Sequence, residues 1–322
     1  MTTPKYSIVV PVFNRPDELM ELLESLTAQT FRDFEVVIVE DGSSRSSEKV
    51  VNDYQAKLSI TYYVKPNSGP GPSRNFGFER AKGHYFVVFD SDCILPPTYF
   101  ETVEKFLIEN PLDAWGGPDR GHQKFTPLQQ AMAYTMSSLF TTGGIRGSKN
   151  GMGSFQPRSF NMGLSRQAFE KTRGFLFDRF AEDIELSIRM KKLGLRVGLI
   201  VDAFVYHKRR ANLKQFFKQV FNFGRGRVQL AKQHPGEIKW VHYFPFIFSL
   251  GFVSIPISYF ITTWLGVINT LPYAVFICLI FADCWLRIKS PTVALFTIPA
   301  AIVQMFGYGL GFFTEMIKSF KS

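Results

Sequence analysis

Residues 6–44 read YSIVVPVFNRPDELMELLESLTAQTFRDFEVVIVEDGSS, and their order decides the fold class. Tyr6 to Phe13 and Phe34 to Val39 are short, β-branched and aromatic, as strands are. A continuous apolar run such as IVVPV suggests a strand buried on both faces, as in a parallel sheet. Between the two runs, Leu19, Leu22, Leu23 and Leu26 recur at helical spacing, with Pro16 near the start and Asp17 and Glu18 in the first turn. Proline suits the first helical position, and acids suit the positive end of the helix dipole.

Outward from this unit, Ile60 to Val64 and Tyr85 to Phe89 are strand-like, and weaker helical patterns cover Ser47 to Lys57, Ser73 to Lys82 and Pro97 to Glu109. The alternation predicts an α/β sheet domain. Residues 111–170 are less regular, with a helix expected from Pro127 to Phe140 and a loop composition from Ile145 to Ser159. Long loops in compact domains often act as lids or binding loops. Order returns with a helix from Ala181 to Leu193 that stops at Gly194, then strands at Arg196 to Val201 and Phe204 to His207. The expected organisation is a head domain over 1–206, a basic juxtamembrane segment over 207–240 and a membrane region over 241–322.

Composition supports that division. At 46% hydrophobic and 16% aromatic, the 322 residues form neither a disordered nor a collagenous chain. Mean hydropathy is only +0.01, but the average hides the layout. Residues 244–282 and 291–313 contain no charged residue and no histidine, which rules out a fully soluble protein. At 1.5 Å per residue the first stretch is about twice a hydrocarbon core of roughly 30 Å. Two helices with a tight turn near Asn269 to Pro272 are expected there, the second ending near Leu286, and a third span over 291–313. An odd number of spans would put the tail with Lys318 and Lys321 outside; a re-entrant last segment is the alternative, and three spans are preferred.

Between Lys208 and Lys239 stand nine basic residues and one acid, Glu237. Basic charge beside a span marks the cytoplasmic side and attracts anionic lipid; a solvated helical face and a nucleic-acid patch are the other readings, and membrane lipid is preferred. The three cysteines, two of them (Cys278, Cys284) in the apolar part, offer no disulfide framework, which fits a reducing cytosol for the head. MTTPKYSIVV carries no long apolar run, so no cleavable signal peptide is expected.

Ligands of open α/β sheets bind at the carboxyl ends of the strands. Three acidic clusters lie at strand or helix ends: Glu40-Asp41-Gly42, Asp90-Ser91-Asp92 and Glu182-Asp183. Asp41-Gly42 is also an ordinary turn dipeptide. Two carboxylates two residues apart at the end of a buried strand repel one another, and a Mg²⁺ or Mn²⁺ ion relieves them, although capping of the next turn is the alternative. Glu182-Asp183, alone, reads as an acidic pair at a helix N-terminus. The run SGPGPSRNFG (Ser68 to Gly77) has neither the Walker nor the dinucleotide spacing, but Arg74 in it is a plausible phosphate partner.

Taken in order, PVFNR (Pro11 to Arg15), VEDGSS (Val39 to Ser44), GPSRNFG (Gly71 to Gly77), FDSDC (Phe89 to Cys93) and AEDIELSIRM (Ala181 to Met190) resemble the family 2 glycosyltransferases. The resemblance covers residues 6 to about 227. It implies a GT-A fold, a Rossmann-like α/β/α nucleotide-binding sandwich joined to an acceptor-binding half. It also implies inverting, metal-dependent transfer from a nucleotide-sugar donor. Phe216 to Gly236 followed by apolar spans is similar to membrane-associated bacterial exopolysaccharide glycosyltransferases of the succinoglycan type.

Carried over residue by residue, the resemblance puts Pro11, Val12 and Asn14 around the base with Asp41 bonded to it. Asp90 approaches the ribose, Ser91 and Arg74 lie near the nucleotide, and Asp92 holds the metal. Asp183 is the general base, with Glu182 beside it on the acceptor side. His207 resembles an additional metal ligand, against the plainer reading of a structural histidine. Arg15 stands where many members carry an acid, and the Gln-x-x-Arg-Trp motif of processive synthases is absent.

The function expected is transfer of a sugar to a hydroxyl of a saccharide or lipid-linked saccharide, in cell-surface polysaccharide synthesis at the cytoplasmic membrane with the head inside. The rivals are a polyprenyl-phosphate sugar transferase and a non-catalytic sugar-binding membrane protein.

Overall fold

The computed structural model describes residues 3–120, 125–142, 155–207 and 210–320. Strand β1 (Tyr6–Val12) lies between β2 (Phe34–Asp41) and β4 (Tyr85–Phe89), parallel to both, and β3 (Ile60–Lys65) extends the sheet beyond β2. The reason for the unbroken apolar run is visible in its packing. Ile8, Val10 and Val12 face Leu19, Leu22, Leu23 and Leu26 of α1 (Pro16–Thr27). Val9 faces the other way, with Val37 and Val39 against Phe78 of α3 (Pro70–Arg80). Both faces are covered, so neither has a polar register. Helices α2 (Glu48–Tyr54) and α4 (Tyr99–Glu109) fall within the expected ranges, whereas α3 starts three residues earlier than its pattern suggests.

Four short strands were not anticipated by the sequence reading: β5 (Cys93–Ile94) and, in the irregular region, β6 (Ala114–Gly116), β7 (Asp119–Arg120) and β8 (Asn161–Ser165). Helices α7 (Arg166–Thr172) and α8 (Glu182–Lys192) precede β9 (Val197–Leu199) and β10 (Val205–His207), with α5 (Pro127–Ser137) and α6 (Leu139–Thr142) lying between β7 and β8. The main sheet runs β3-β2-β1-β4-β8-β6-β9, and a second sheet runs β5-β10-β7. β8 is antiparallel to β4 and β6, so the sheet is parallel in its first half and mixed in its second. With β10 antiparallel to β5, His207 stands opposite Cys93.

The chain divides into two units, Met1–His122 with Ser154–Lys208, and Gln123–Gly153 with Arg209–Ser322. The head expected over 1–206 is therefore interrupted. Helix α5 belongs to the second unit because its apolar face is buried there: Ala131 and Tyr134 pack with Ile280, Cys284 and Val293, and Met132 and Met136 with Phe216, Val220 and Ala300. Residues 145–154 of the expected loop lie outside the described residues, as do Lys208, Arg209 and Lys321.

In the second unit α9 (Leu213–Gln233) precedes α10 (Phe244–Ile261), α11 (Thr263–Ile288) and α12 (Pro291–Phe320). Trp240–Ile261, Thr263–Ile288 and Pro291–Ser319 are long and apolar enough to cross a membrane. The first break falls at Thr262, not near Asn269 to Pro272. Thr262 is extended, and its hydroxyl accepts from Leu265 N, so it caps α11. Asn269 lies inside α11, where its Nδ2 donates to Ser254 and Ser258 Oγ on α10 at 2.9 Å each, and Pro272 is also helical. Glu315, beyond the expected end of the third span, accepts from Arg225 and Gln229 of α9 at 2.9 Å. Helices α9 and α12 approach at glycines: a Cβ on Gly311 would lie 1.9 Å from Phe221 O, and one on Gly224 would lie 2.2 Å from Tyr308 O.

Candidate active site

Parallel strands β1, β2 and β4 deliver Asn14, Asp41 and Asp90 to one edge of the head. Asn14 sits in the left-handed region at φ 57°, a conformation asparagine tolerates better than most residues. It ties the first two strand ends together: its Oδ1 accepts from the Ser44 and Arg45 amides at 2.8 and 3.0 Å, and its own amide donates to Ser43 Oγ at 2.7 Å. Pro11 and Val12 form the strand end just before it, with Val12 buried.

Asp41 is buried and surrounded by donors. Lys65 Nζ and the Ser68 amide reach Oδ1, and the Gly69 amide and Asn67 Nδ2 reach Oδ2. Gly69, at φ 103°, has the conformational freedom that presents its N–H to the carboxylate. Burial pushes the Asp41 carboxyl up, but the donation from Lys65, Ser68 and Gly69 outweighs it and holds the group below its ordinary value. Lys65 carried no signal in the sequence reading, because its partner is 24 positions away.

The fourth strand end leads into a tight turn, with Cys93 N donating to Asp90 O at 3.0 Å and Ser91 buried within it. Asp90 accepts from Arg74 Nη2 at 2.8 Å, and the other fork of the same guanidinium, Nη1, donates to Glu182 Oε1 at 2.8 Å. Arg74 is thus a buried link from the strand end to the start of α8, and it lies 5.2 Å from the Phe175 ring. Burial disfavours its charge, but Asp90 and Glu182 more than compensate and raise its pKa.

Ala181 precedes α8 in the left-handed region at φ 58°, which costs energy for a residue with a Cβ and sets the direction of the first turn. Glu182 is buried; that burial, then the Asp183 charge, push its carboxyl up to about 7, with Arg74 pulling the other way. Asp183 is partly exposed. Its Oδ2 accepts weakly from Ser159 N at 3.4 Å, and its Oδ1 lies 3.7 Å from Arg158 Nη1.

Asp92 is buried beside the second sheet. Its Oδ1 lies 3.1 Å from His207 Nε2, and its Oδ2 accepts from Arg15 Nη1. His207 stacks on Phe160 at 4.9 Å, which fixes the ring plane. Cys93 Sγ lies near both: the three ligand atoms are within 4.8 Å of one another. Burial, and then the charges of Asp92 and Asp90, push the Cys93 thiol well up; a hard carboxylate oxygen suits Mg²⁺ or Mn²⁺ better than soft sulfur does. Two atoms bound at right angles to one ion at about 2.1 Å each stand about 3 Å apart, close to the observed O···N separation. Asp92 and His207 therefore fit a divalent cation. Arg15, noted in the sequence only as a departure from an acid, is the contact that sequence reasoning missed.

The sequence profile of glycosyl transferase family 2 matches residues 7–173, just over half of the chain. The chain belongs to glycosyl transferase family 2. The match includes the β1, β2 and β4 strand ends and stops short of α8. Among its relatives, this family 2 glycosyltransferase is 35% identical over 106 residues to an uncharacterized glycosyltransferase of Rickettsia felis, covering 33% of this chain and 18% of that protein. It is 32% identical over 113 residues to the uncharacterized glycosyltransferase YibD of Escherichia coli, covering 35% of this chain and 33% of that one. Glycosyltransferase GlyA of Streptococcus pneumoniae is 32% identical over 110 residues, 34% of this chain and 16% of GlyA. The match thus spans a third or less of each of these relatives.

Among solved structures, the mannosyltransferase PcManGT of Pyrobaculum calidifontis, in complex with GDP-Man and Mn²⁺, superposes with a TM-score of 0.60 at 15% identity, covering 96% of this chain and 88% of that one. Residues 1–349 of TarS from S. aureus, in complex with UDP-GlcNAc, superpose at 0.52 and 18% identity, covering 98% and 92%. These likenesses establish the GT-A fold for the glycosyltransferase, as its sheet order implies.

Proposed function

We propose that this glycosyltransferase transfers a sugar from a nucleotide-sugar donor to a hydroxyl of a saccharide or lipid-linked saccharide acceptor, with inversion. The observation that carries the reading is the Arg74 fork, which joins Asp90 to Glu182, the neighbour of Asp183 in the chain. Strand-end carboxylates for a nucleotide and a partly exposed carboxylate for an acceptor thus share a site. PcManGT with GDP-Man and TarS with UDP-GlcNAc are relatives in fold that hold nucleotide sugars, which supports such a donor here.

On this reading Pro11, Val12, Asn14 and the loop held by Asp41 form the base side, and Asp90 and Ser91 the ribose side. Arg74, buried and bonded through both terminal nitrogens, acts on the nucleotide through Asp90. Asp92 and His207 would hold Mg²⁺ or Mn²⁺, whose charge would offset that developing on the departing diphosphate. Asp183 takes the proton of the acceptor hydroxyl as that oxygen bonds the anomeric carbon and the bond to the diphosphate oxygen breaks. The diphosphate leaves as an anion, so no protein acid is required, unlike hydrolysis of an ordinary glycoside.

The second unit fits a membrane anchor of three spans, with the basic α9 region against anionic lipid and the head in the cytoplasm, where nucleotide sugars are found. Such an anchor suits a role in cell-surface polysaccharide synthesis of the succinoglycan type.

Asp183→Asn tests the reading. Transfer is expected to fall 10²- to 10⁴-fold, the usual contribution of a general base, with donor affinity within a few fold of wild type. Near-normal turnover would remove Asp183 as the base and favour a lipid-phosphate acceptor, which hardly needs one.

A further inference from the structure

The four cations paired with the candidate carboxylates differ in how much of each is left uncommitted. Arg74 has both terminal nitrogens bonded and a side chain 3% exposed. Lys65, 12% exposed, is shared among Asp41, Ser68 and the Pro66 carbonyl. Arg158, 18% exposed, faces Asp183. Arg15 is 33% exposed, and among the described residues its guanidinium makes one hydrogen bond, from Nη1 to Asp92 Oδ2. A guanidinium carries five N–H donors in a fixed fork that matches phosphate oxygens. Four of the five thus remain to be used, on a side chain partly open to solvent beside the carboxylate best placed to hold a metal.

The division of Asp92 matters as much. Arg15 takes Oδ2, and Oδ1 faces His207. We propose that Arg15 is a protein-borne cation of the donor site, which keeps Asp92 a one-oxygen ligand and donates its other N–H groups to the donor's diphosphate. The proposal rests on the nucleotide-donor reading above. It has two consequences of opposite sign. Arg15 supports diphosphate binding when the metal is absent, and it weakens binding of the metal alone, because it shares Asp92 and carries like charge.

The test uses the full chain in detergent micelles, as wild type, Arg15→Gln and Arg15→Lys. Nucleoside diphosphates of the five common bases are titrated in with Mn²⁺ and with EDTA, and Mn²⁺ is titrated alone. In EDTA the affinity of Arg15→Gln is expected to lie at least about tenfold below wild type, the scale of one charge-assisted hydrogen bond. Arg15→Lys, with charge but no fork, should lie between. Mn²⁺ alone should bind Arg15→Gln several-fold more tightly than wild type. A misfolded variant would lose affinity in both titrations, so the opposed signs separate the proposal from simple damage. Equal affinities of wild type and Arg15→Gln in EDTA, or weaker Mn²⁺ binding by the variant, overturns the role of Arg15 and leaves the donor reading standing. Wild type that binds no nucleoside diphosphate under either condition overturns both.

Discussion

Asp41 and Asp92 are both buried carboxylates just past or at the end of parallel strands, yet their surroundings differ in kind. Asp41 is held by the amides of Ser68 and Gly69 as well as by Lys65 and Asn67, so its charge organises a loop. Asp92 meets side chains, Arg15 on one oxygen and His207 on the other. Main-chain donors cannot leave without moving the backbone, whereas side chains can rotate and admit a ligand. On the proposed reading, Asp41 thus organises its loop and Asp92 is the acid that takes part in the chemistry.

The sharpest way to break that division is Asp92→Asn. Transfer should fall on the order of 10²- to 10³-fold, the scale of losing one electrostatic contact in the transition state, with activation by Mn²⁺ lost and little change in melting temperature. A variant that unfolds instead would make Asp92 structural and erase the contrast.

Asp41→Asn should do the reverse, costing about 2 to 3 kcal/mol of stability, because hydrogen bonds to a charged group are lost and Lys65 is left without its counter-ion. Its pKa is depressed in the folded state, so its stabilisation is full above the ordinary carboxylate range and disappears as pH falls through the native value. Melting followed from pH 7 down to pH 2 should therefore show a flatter acid limb in the variant; parallel limbs would contradict the loop-organising role.

A smaller effect is expected at Glu182, which stands between the two kinds. Its pKa is raised to about 7, so the sign reverses: its contribution is present below the ordinary glutamate range and is lost as pH rises through 7. Glu182→Gln should lose less melting temperature than wild type between pH 5 and pH 8, by a few degrees at most. Identical profiles would mean that Arg74 keeps Glu182 ionised throughout.

How much of this was legible follows from range. The both-face burial of IVVPV, the leucine spacing of α1 and the acids at strand ends are local patterns, and they place the fold and the candidate acids together at one edge. The links among those acids are not local. Arg15 meets Asp92 across 77 positions and Arg74 meets Glu182 across 108, and no local pattern in the sequence carries a trace of such pairs. Helix α5 was read into the head because its pattern shows an apolar face and not the surface that covers it. Pro272 misled in another way, since proline weakens a helix only through its own N–H and its ring, and α11 continues through it. Thr262, a weak signal by composition, makes the break because its hydroxyl replaces the missing main-chain partner.

That single-residue break has a further consequence. Helix α10 ends at Ile261 and α11 begins at Thr263, so the two are joined by Thr262 alone, and α11 and α12 are separated by Lys289 and Ser290. The turn at Thr262 offers no chain slack enough to enter a protease cleft, and it carries no lysine for an amine-reactive label.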